Sequence, residues 1–161
     1  PEINSETNFV LYDHSSNLKK NQINEILGED YDRLRPLAYP QTDIFLVCFS
    51  LTSVNSYENI KSKWIPEIQH HCPNRPFMII GTKIDLILNE NIIDLSGTLK
   101  KRCATKDVIL EYCNEIGAEC YKECSALTQD GLFDIFQEAV QIVFKKEKEN
   151  KKKRKKKCNI L

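Results

Sequence analysis

Two uninterrupted apolar runs constrain the fold of this chain most strongly. Residues 44–49 read Ile-Phe-Leu-Val-Cys-Phe, and residues 77–81 read Phe-Met-Ile-Ile-Gly. Both runs are short, rich in residues that favour strands, and free of alternating polar positions. Strands with continuous apolar residues are typically covered on both faces of the sheet. We therefore predict two strands covered on both faces, with a short strand at residues 9–12 and a weaker fourth strand at residues 120–124.

A first helical pattern follows the strand at residues 44–49. Ser53 or Asn55 can cap a helix that continues to about Gln69. Its apolar positions are spaced by three or four residues and are expected to pack in the core: Tyr57, Ile60, Trp64 and Ile68. Pro66 lies inside this pattern and is expected to kink or end the helix, because proline lacks a backbone N–H.

Two further helical patterns lie in the second half of the chain. Thr105 is expected to cap a helix that ends at Ile116, before Gly117, with this apolar stripe: Val108, Tyr112 and Ile116. Another helix is predicted over residues 130–146, with these apolar positions: Leu132, Phe133, Phe136, Val140, Val143 and Phe144. Strands that alternate with helices predict an α/β fold, with a mostly parallel sheet and helices on both faces.

Charge and cysteine content indicate the class of protein. Residues 145–157 contain ten Lys or Arg and two Glu, a local charge of +8. Because the net charge of the chain is zero, the remaining residues carry −8. An acidic body with a basic tail predicts a solvated tail that binds anionic partners. The seven cysteines include no C-x-x-C pair, which favours reduced thiols over a disulfide framework or a zinc site.

A first candidate binding motif, Thr82-Lys83-Ile84-Asp85, directly follows the strand at residues 77–81. Ligands of parallel α/β sheets bind at the carboxyl ends of the strands. A carboxylate at Asp85 can accept two parallel hydrogen bonds from a guanine edge, a pair that adenine cannot donate. The stem of Lys83 can lie along the plane of the base. The alternative interpretation of this motif is an ordinary polar loop after a strand.

A second candidate motif, Ser125-Ala126-Leu127, follows the predicted strand that ends at Cys124. A backbone N–H in this loop can donate to the carbonyl oxygen of guanine. Each motif alone is a weak signal. Because each follows its own strand, the two together predict a guanine site much more strongly.

Three longer stretches are informative: residues 29–43 (EDYDRLRPLAYPQTD), residues 63–74 (KWIPEIQHHCPN) and residues 123–129 (ECSALTQ). All three resemble Rac proteins. The first is similar to the switch II region and the segment after it. Thr82 at the head of the first motif is the Rho-family variant of Asn, and residues 89–102 have room for the helical insert of Rho proteins. Over residues 8–144, the chain thus resembles the Rho/Rac family of Ras-like small GTPases.

The resemblance implies a P-loop GTPase fold that binds GTP or GDP with Mg²⁺. By this resemblance, the base is read by Thr82, Lys83 and Asp85, and the loop that closes over it is Ser125, Ala126 and Leu127. Asp13 would hold Mg²⁺ indirectly, through water. The implied regulatory contacts, with exchange factors and effectors, are Tyr31, Arg33 and Leu34. GTPase-activating proteins are further implied partners, and the implied role is signalling to the actin cytoskeleton.

The chain departs from the family at two places. The strand and the G-x-x-x-x-G-K-[ST] phosphate loop that open small GTPases have no counterpart here, so residues 1–147 are expected to be a GTPase domain lacking its N-terminal block. The D-x-x-G motif is also altered: Ser16 stands for Gly and Asn17 for the catalytic Gln, unless Gly28 takes the Gly role. Asn is one methylene shorter than Gln, so intrinsic hydrolysis is expected to be slow. A pseudo-GTPase that only binds partners is the alternative.

Residues 148–161 are expected to form a basic tail with a lipid anchor. Cys158-Asn159-Ile160-Leu161 fits a C-a-a-X box, in which a final Leu favours geranylgeranyl. The run from Lys151 to Lys157 is entirely basic, and a prenyl chain with a polybasic run supplies the two signals of stable anchoring. The prediction is the cytoplasmic face of the plasma membrane or of endomembranes. A basic run also fits nuclear localisation or nucleic-acid binding, but the C-a-a-X box favours the membrane, with no specific nucleic-acid partner.

Overall fold

A parallel sheet forms the centre of the computed structural model, which describes residues 9–12, 39, 42–88 and 102–158. Its strands are β1 (Phe9–Tyr12), β2 (Ile44–Ser50), β3 (Phe77–Thr82) and β4 (Tyr121–Glu123). They lie in the order β1-β2-β3-β4, and every neighbouring pair is parallel. All four predicted strands are confirmed, each within a residue of its expected bounds.

Residues of β2 and β3 alternate between two hydrophobic clusters, one on each face of the sheet. Phe45, Val47 and Phe49 belong to the first cluster, and Ile44, Leu46 and Cys48 to the second. All seven residues of β2 are buried. Because successive side chains of a strand point to opposite faces, an uninterrupted apolar strand needs cover on both sides. The prediction of a sheet covered on both faces is therefore confirmed.

The first face is covered in part by a helix in three segments: α1 (Val54–Asn59), a π-helical turn (Ile60–Trp64) and α2 (Ile65–His71). Ser53 is the N-cap, because its side chain accepts a hydrogen bond from the backbone N–H of Ser56. The predicted apolar positions of this helix are all buried. Of the two outcomes expected at Pro66, a helix end is wrong, since α2 continues to His71.

The π-helical turn explains how the helix accommodates Pro66. Proline cannot donate a hydrogen bond to the residue four positions earlier, and its ring would clash with that carbonyl. Immediately before it, the N–H of Ile65 bonds to the carbonyl of Ile60, five residues back. A wider turn of this kind is a known way for a helix to absorb such a disturbance.

The first face is completed by α4 (Lys106–Ile116), which follows the short α3 (Asp85–Leu88) and the undescribed residues 89–101. The Thr105 cap and the stop at Gly117, with φ +73°, are confirmed. The predicted buried stripe is wrong by one position. Ile109 and Cys113 are the buried residues, whereas Val108 is 48% exposed. Tyr112 and Ile116 only flank the cluster.

The second face is covered by α5 (Leu132–Cys158). Its buried residues are Ile135, Ala139, Ile142 and Val143. The expected burial of Phe133 and Phe136 is wrong, because these side chains are 76% and 40% exposed. The helix runs past the predicted end at residue 146 and across the expected boundary of the basic tail. Among the described residues, we find no helix with the length and apolar character needed to span a bilayer.

Candidate nucleotide-binding site

The carboxyl end of β3 carries the first predicted motif, and Thr82 fastens it to β2. The Thr82 hydroxyl donates to the backbone carbonyl of Phe49 at 3.0 Å, and the N–H of Leu51 donates to the carbonyl of Thr82, also at 3.0 Å. The hydroxyl and the carbonyl of Thr82 therefore hold the ends of β2 and β3 together. This geometry gives Thr82 a role in positioning the loop.

Lys83 adopts a left-handed backbone conformation, with φ +63°. This region is uncommon for residues other than glycine and often marks functional sites. The turn lets the carbonyl of Lys83 accept from the N–H of Leu86 at 3.1 Å, and α3 begins at Asp85. The turn thereby places the partly exposed Asp85 at the edge of the sheet.

The second predicted motif forms a compact loop around Ser125, which is fully buried. Its N–H donates to the carbonyl of Asp130 at 3.0 Å, and its hydroxyl accepts from the N–H of Thr128 at 3.1 Å. Ala126 and Leu127 are exposed, and Leu127 is 83% exposed. Ser125 therefore closes the loop from inside, and the next two residues face outward.

A backbone hydrogen bond joins the two motifs. The N–H of Ile84 donates to the carbonyl of Cys124 at 3.2 Å, and the N–H of Cys124 donates to the carbonyl of Gly81 at 2.9 Å. The loop after β3 and the loop after β4 are thus side by side at one edge of the sheet. The predicted proximity of the two motifs is confirmed, while their role in binding a base stays a prediction.

The other predicted functional residues are not brought to this edge by the described part of the structure. Five of them lie outside the described residues: Asp13, Asn17, Tyr31, Arg33 and Leu34. The expected insert at residues 89–102 is described only at Arg102. Cys158 is the last residue of α5. Among the described ion pairs between α5 and the rest of the domain, the one nearest the end of the helix joins Lys146 to Glu119 at 2.7 Å.

The two loops present groups that suit the edge of a guanine base. A carboxylate at Asp85 accepts hydrogen bonds and donates none, so it complements a ring N–H and an adjacent amine. Backbone N–H groups at Ala126 and Leu127 are donors that complement a carbonyl oxygen. The stem of Lys83 and the side chain of Leu127 are apolar surfaces against which a flat ring can pack.

One hydrogen-bonded cluster lies beside the second loop, and its only sequence signal is the position of Glu123, two residues before the second motif. Arg102 donates from Nη1 and Nη2 to the two carboxylate oxygens of Glu123, at 2.6 and 2.8 Å, and the Tyr121 hydroxyl donates to the same carboxylate at 2.6 Å. These three residues form the Glu123 cluster. The side chains of Arg102 and Glu123 are only 24% and 11% exposed.

The carboxyl group of Glu123 is ionised at neutral pH. The hydrogen bond from Arg102 lowers the pKa of the Glu123 carboxyl, although burial alone would raise it. Burial raises the pKa of the Tyr121 hydroxyl, and its hydrogen bond to Glu123 adds to this effect. Glu123 is therefore an ionised carboxylate, held by a cation and by a neutral hydroxyl donor.

The comparison with known families agrees with this architecture. A model of the Ras family matches residues 9–145, which include all four strands of the sheet and both candidate loops. The parallel sheet with helices on both faces is consistent with the α/β fold of P-loop GTPases. Ras-family proteins are small GTPases that bind GTP and GDP with Mg²⁺. Together, the match and the fold show that this chain belongs to the Ras family.

Proposed function

We propose that this protein is a GTP/GDP switch of the Rho/Rac type, and that the loops after β3 and β4 read its guanine base. The observation that carries the proposal is the hydrogen bond from Ile84 to Cys124, which holds the two loops against each other. Family membership supports guanine-nucleotide binding in general. The groups on the two loops support guanine as the base that they recognise.

The proposed roles within the site follow from burial and bonding. Asp85 accepts the paired hydrogen bonds of the base, and backbone N–H groups of Ala126 and Leu127 donate to its carbonyl oxygen. The hydroxyls of Thr82 and Ser125 already have partners within the protein, so these two residues shape the loops. The stem of Lys83 covers one face of the base.

The Rho/Rac assignment rests on the resemblance of residues 29–43, 63–74 and 123–129 to Rac proteins. In this proposal, Tyr31, Arg33 and Leu34 contact exchange factors and effectors. Asp13 would hold Mg²⁺ indirectly, and the ion would neutralise phosphate charge. GTPase-activating proteins and actin-directed signalling are proposed on the same resemblance.

Slow intrinsic hydrolysis is the first testable consequence. If Asn17 occupies the catalytic Gln position, the shorter side chain leaves the attacking water poorly oriented. Single-turnover GTP hydrolysis by the full-length protein should then be slow, and Asn17→Gln should raise its rate by about 10- to 100-fold. An unchanged rate in Asn17→Gln would contradict this role. If the wild-type protein and Asn17→Gln both bind GTP without hydrolysing it, the alternative of a pseudo-GTPase is favoured. The altered residues Ser16 and Asn17 also support that alternative.

Membrane attachment through residues 148–161 is the second testable consequence. We propose that Cys158 carries a geranylgeranyl group and that the basic residues from Lys151 to Lys157 bind anionic lipid on the cytoplasmic face of a membrane. Cys158→Ser should move the full-length protein from the membrane fraction to the soluble fraction. Cys72→Ser, a partly buried thiol in the body, is the matched control and should not. Membrane fractionation that Cys158→Ser leaves unchanged would refute the anchor.

A further inference from the structure

β4 is a short strand with few backbone hydrogen bonds to the rest of the sheet. It has three residues and, in the described sheet, pairs only with β3. Its last residue, Glu123, is followed directly by Cys124 and the second loop. A strand this short at the edge of a sheet fixes the direction of a following loop weakly. Besides the two backbone hydrogen bonds of Cys124, the position of the second loop therefore depends on side-chain contacts at the end of β4.

The Glu123 cluster supplies these contacts from two sides. Arg102 binds the Glu123 carboxylate in a planar two-bond geometry, which fixes orientation as well as distance. The next residue, Cys103, donates its N–H to the carbonyl of Leu51 at 2.7 Å. The segment that carries Arg102 is thus anchored at the end of β2, and its side chain reaches across to the end of β4.

The Tyr121 hydroxyl extends the cluster to β3. A Cβ atom placed on Gly81 would lie 2.7 Å from Cδ2 of Leu51 and 2.8 Å from this hydroxyl, so the Tyr121 hydroxyl packs close to the backbone of β3. Gly81 immediately precedes Thr82, the first residue of the first motif. The cluster therefore braces the carboxyl ends of β2, β3 and β4, where the two candidate loops begin.

Loss of the Arg102 cation would leave the Glu123 carboxylate largely buried and without its charged partner. The Glu123 side chain is 11% exposed, and a buried carboxylate without its cation must move towards water or take up a proton. Movement of the carboxylate towards water is expected to displace the end of β4, and with it the backbone N–H groups of Ala126 and Leu127. The loop after β3 retains its own bonds through Thr82.

We propose that Arg102 is a positioning residue for guanine recognition: through Glu123 it holds the second loop where its N–H groups meet the carbonyl oxygen of the base. This inference rests on the proposed guanine site. It predicts that Arg102 affects contacts to the carbonyl side of the base and not those to the amine, which Asp85 accepts.

The test compares three nucleotides on the full-length protein. GDP carries both groups, 2-aminopurine riboside diphosphate lacks the carbonyl oxygen and the ring N–H, and inosine diphosphate lacks the amine. Arg102→Gln should speed GDP release by about 10- to 100-fold. It should also shrink the preference for GDP over the 2-aminopurine nucleotide and leave the preference for GDP over inosine diphosphate unchanged. A general loss of structure would instead weaken the binding of all three nucleotides by the same factor.

Milder variants keep the test valid if Arg102→Gln folds poorly. Arg102→Lys retains the charge but not the two-bond geometry, and should recover part of the slow GDP release. Tyr121→Phe leaves the ion pair in place and should act in the same direction with a smaller effect. Lys146→Met breaks the ion pair with Glu119, which lies away from both loops, and is the matched control that should leave GDP release unchanged.

The outcomes separate this inference from the proposed function. Suppose that the wild-type protein binds GDP. If Arg102→Gln then releases GDP at the wild-type rate, or loses affinity equally for all three nucleotides, only the role of Arg102 is overturned. A wild-type protein that binds no guanine nucleotide overturns the proposed site and this inference together. Selective loss of the preference over the 2-aminopurine nucleotide, with partial recovery in Arg102→Lys, supports both.

Discussion

Gly131→Ala is expected to lower the free energy of unfolding by about 3 kcal/mol or more, from two separate causes. Gly131 has φ +67°, a left-handed conformation that strains any residue with a Cβ. In addition, a Cβ at this position would lie 2.5 Å from the carbonyl oxygen of Glu123. Because that atom belongs to the backbone at the end of β4, it cannot move aside without displacing the second loop.

Gly117→Ala isolates the first of these causes. Gly117 has φ +73°, but a Cβ there would meet no atom within 4 Å. Its replacement should therefore cost only about 1 kcal/mol, the backbone cost alone. Urea unfolding of the two variants at one temperature measures the difference. Equal destabilisation would contradict the claim that close approach to Glu123 makes glycine necessary at position 131.

Asp85→Asn is expected to weaken GDP binding by about 100-fold or more, which corresponds to roughly 2.7 kcal/mol. An ionised carboxylate accepts both donors of the guanine edge, whereas an amide accepts one and turns its own donor group towards the other. Asp134→Asn, at an exposed position in the first turn of α5, removes the same charge and is the matched control. Calorimetric titration of both variants with GDP measures the effect, and similar affinities would contradict the role of Asp85.

Local signals predicted most of the fold. The Thr105 cap and the stop at Gly117 depend only on neighbouring backbone groups, and both are confirmed. The continuous apolar run of β2 implied cover on two faces, and the two clusters provide it. The two candidate loops are adjacent as predicted, because parallel strands bring their carboxyl ends to one edge.

Features set by tertiary packing were not predictable in this way. Val108 and Ile109 both fit an apolar stripe of α4, and the docking of the helix on the sheet decides that Ile109 is buried. On α5, the large Phe133 was expected in the core, but Ile135 and Ala139 occupy it instead. Helical spacing gives a set of possible faces, and the neighbouring elements select one of them.

The Glu123 cluster shows the same limit at the candidate site. Arg102 and Glu123 are 21 residues apart, and each is an ordinary charged residue in the sequence. Only the fold brings the end of the segment before α4 against the end of β4. The single hint was position, since Glu123 stands two residues before the second motif.

A specificity exchange at Asp85 tests the central claim most directly, the claim that the two loops form a guanine-reading site. Xanthine carries a carbonyl oxygen where guanine carries its amine, so an amide at position 85 can donate to it. Affinities of GDP and xanthosine diphosphate should be measured for the full-length protein and for Asp85→Asn. We predict that the wild-type protein prefers GDP and that the variant prefers xanthosine diphosphate. An unchanged preference in the variant, or no preference in the wild type, would contradict the account.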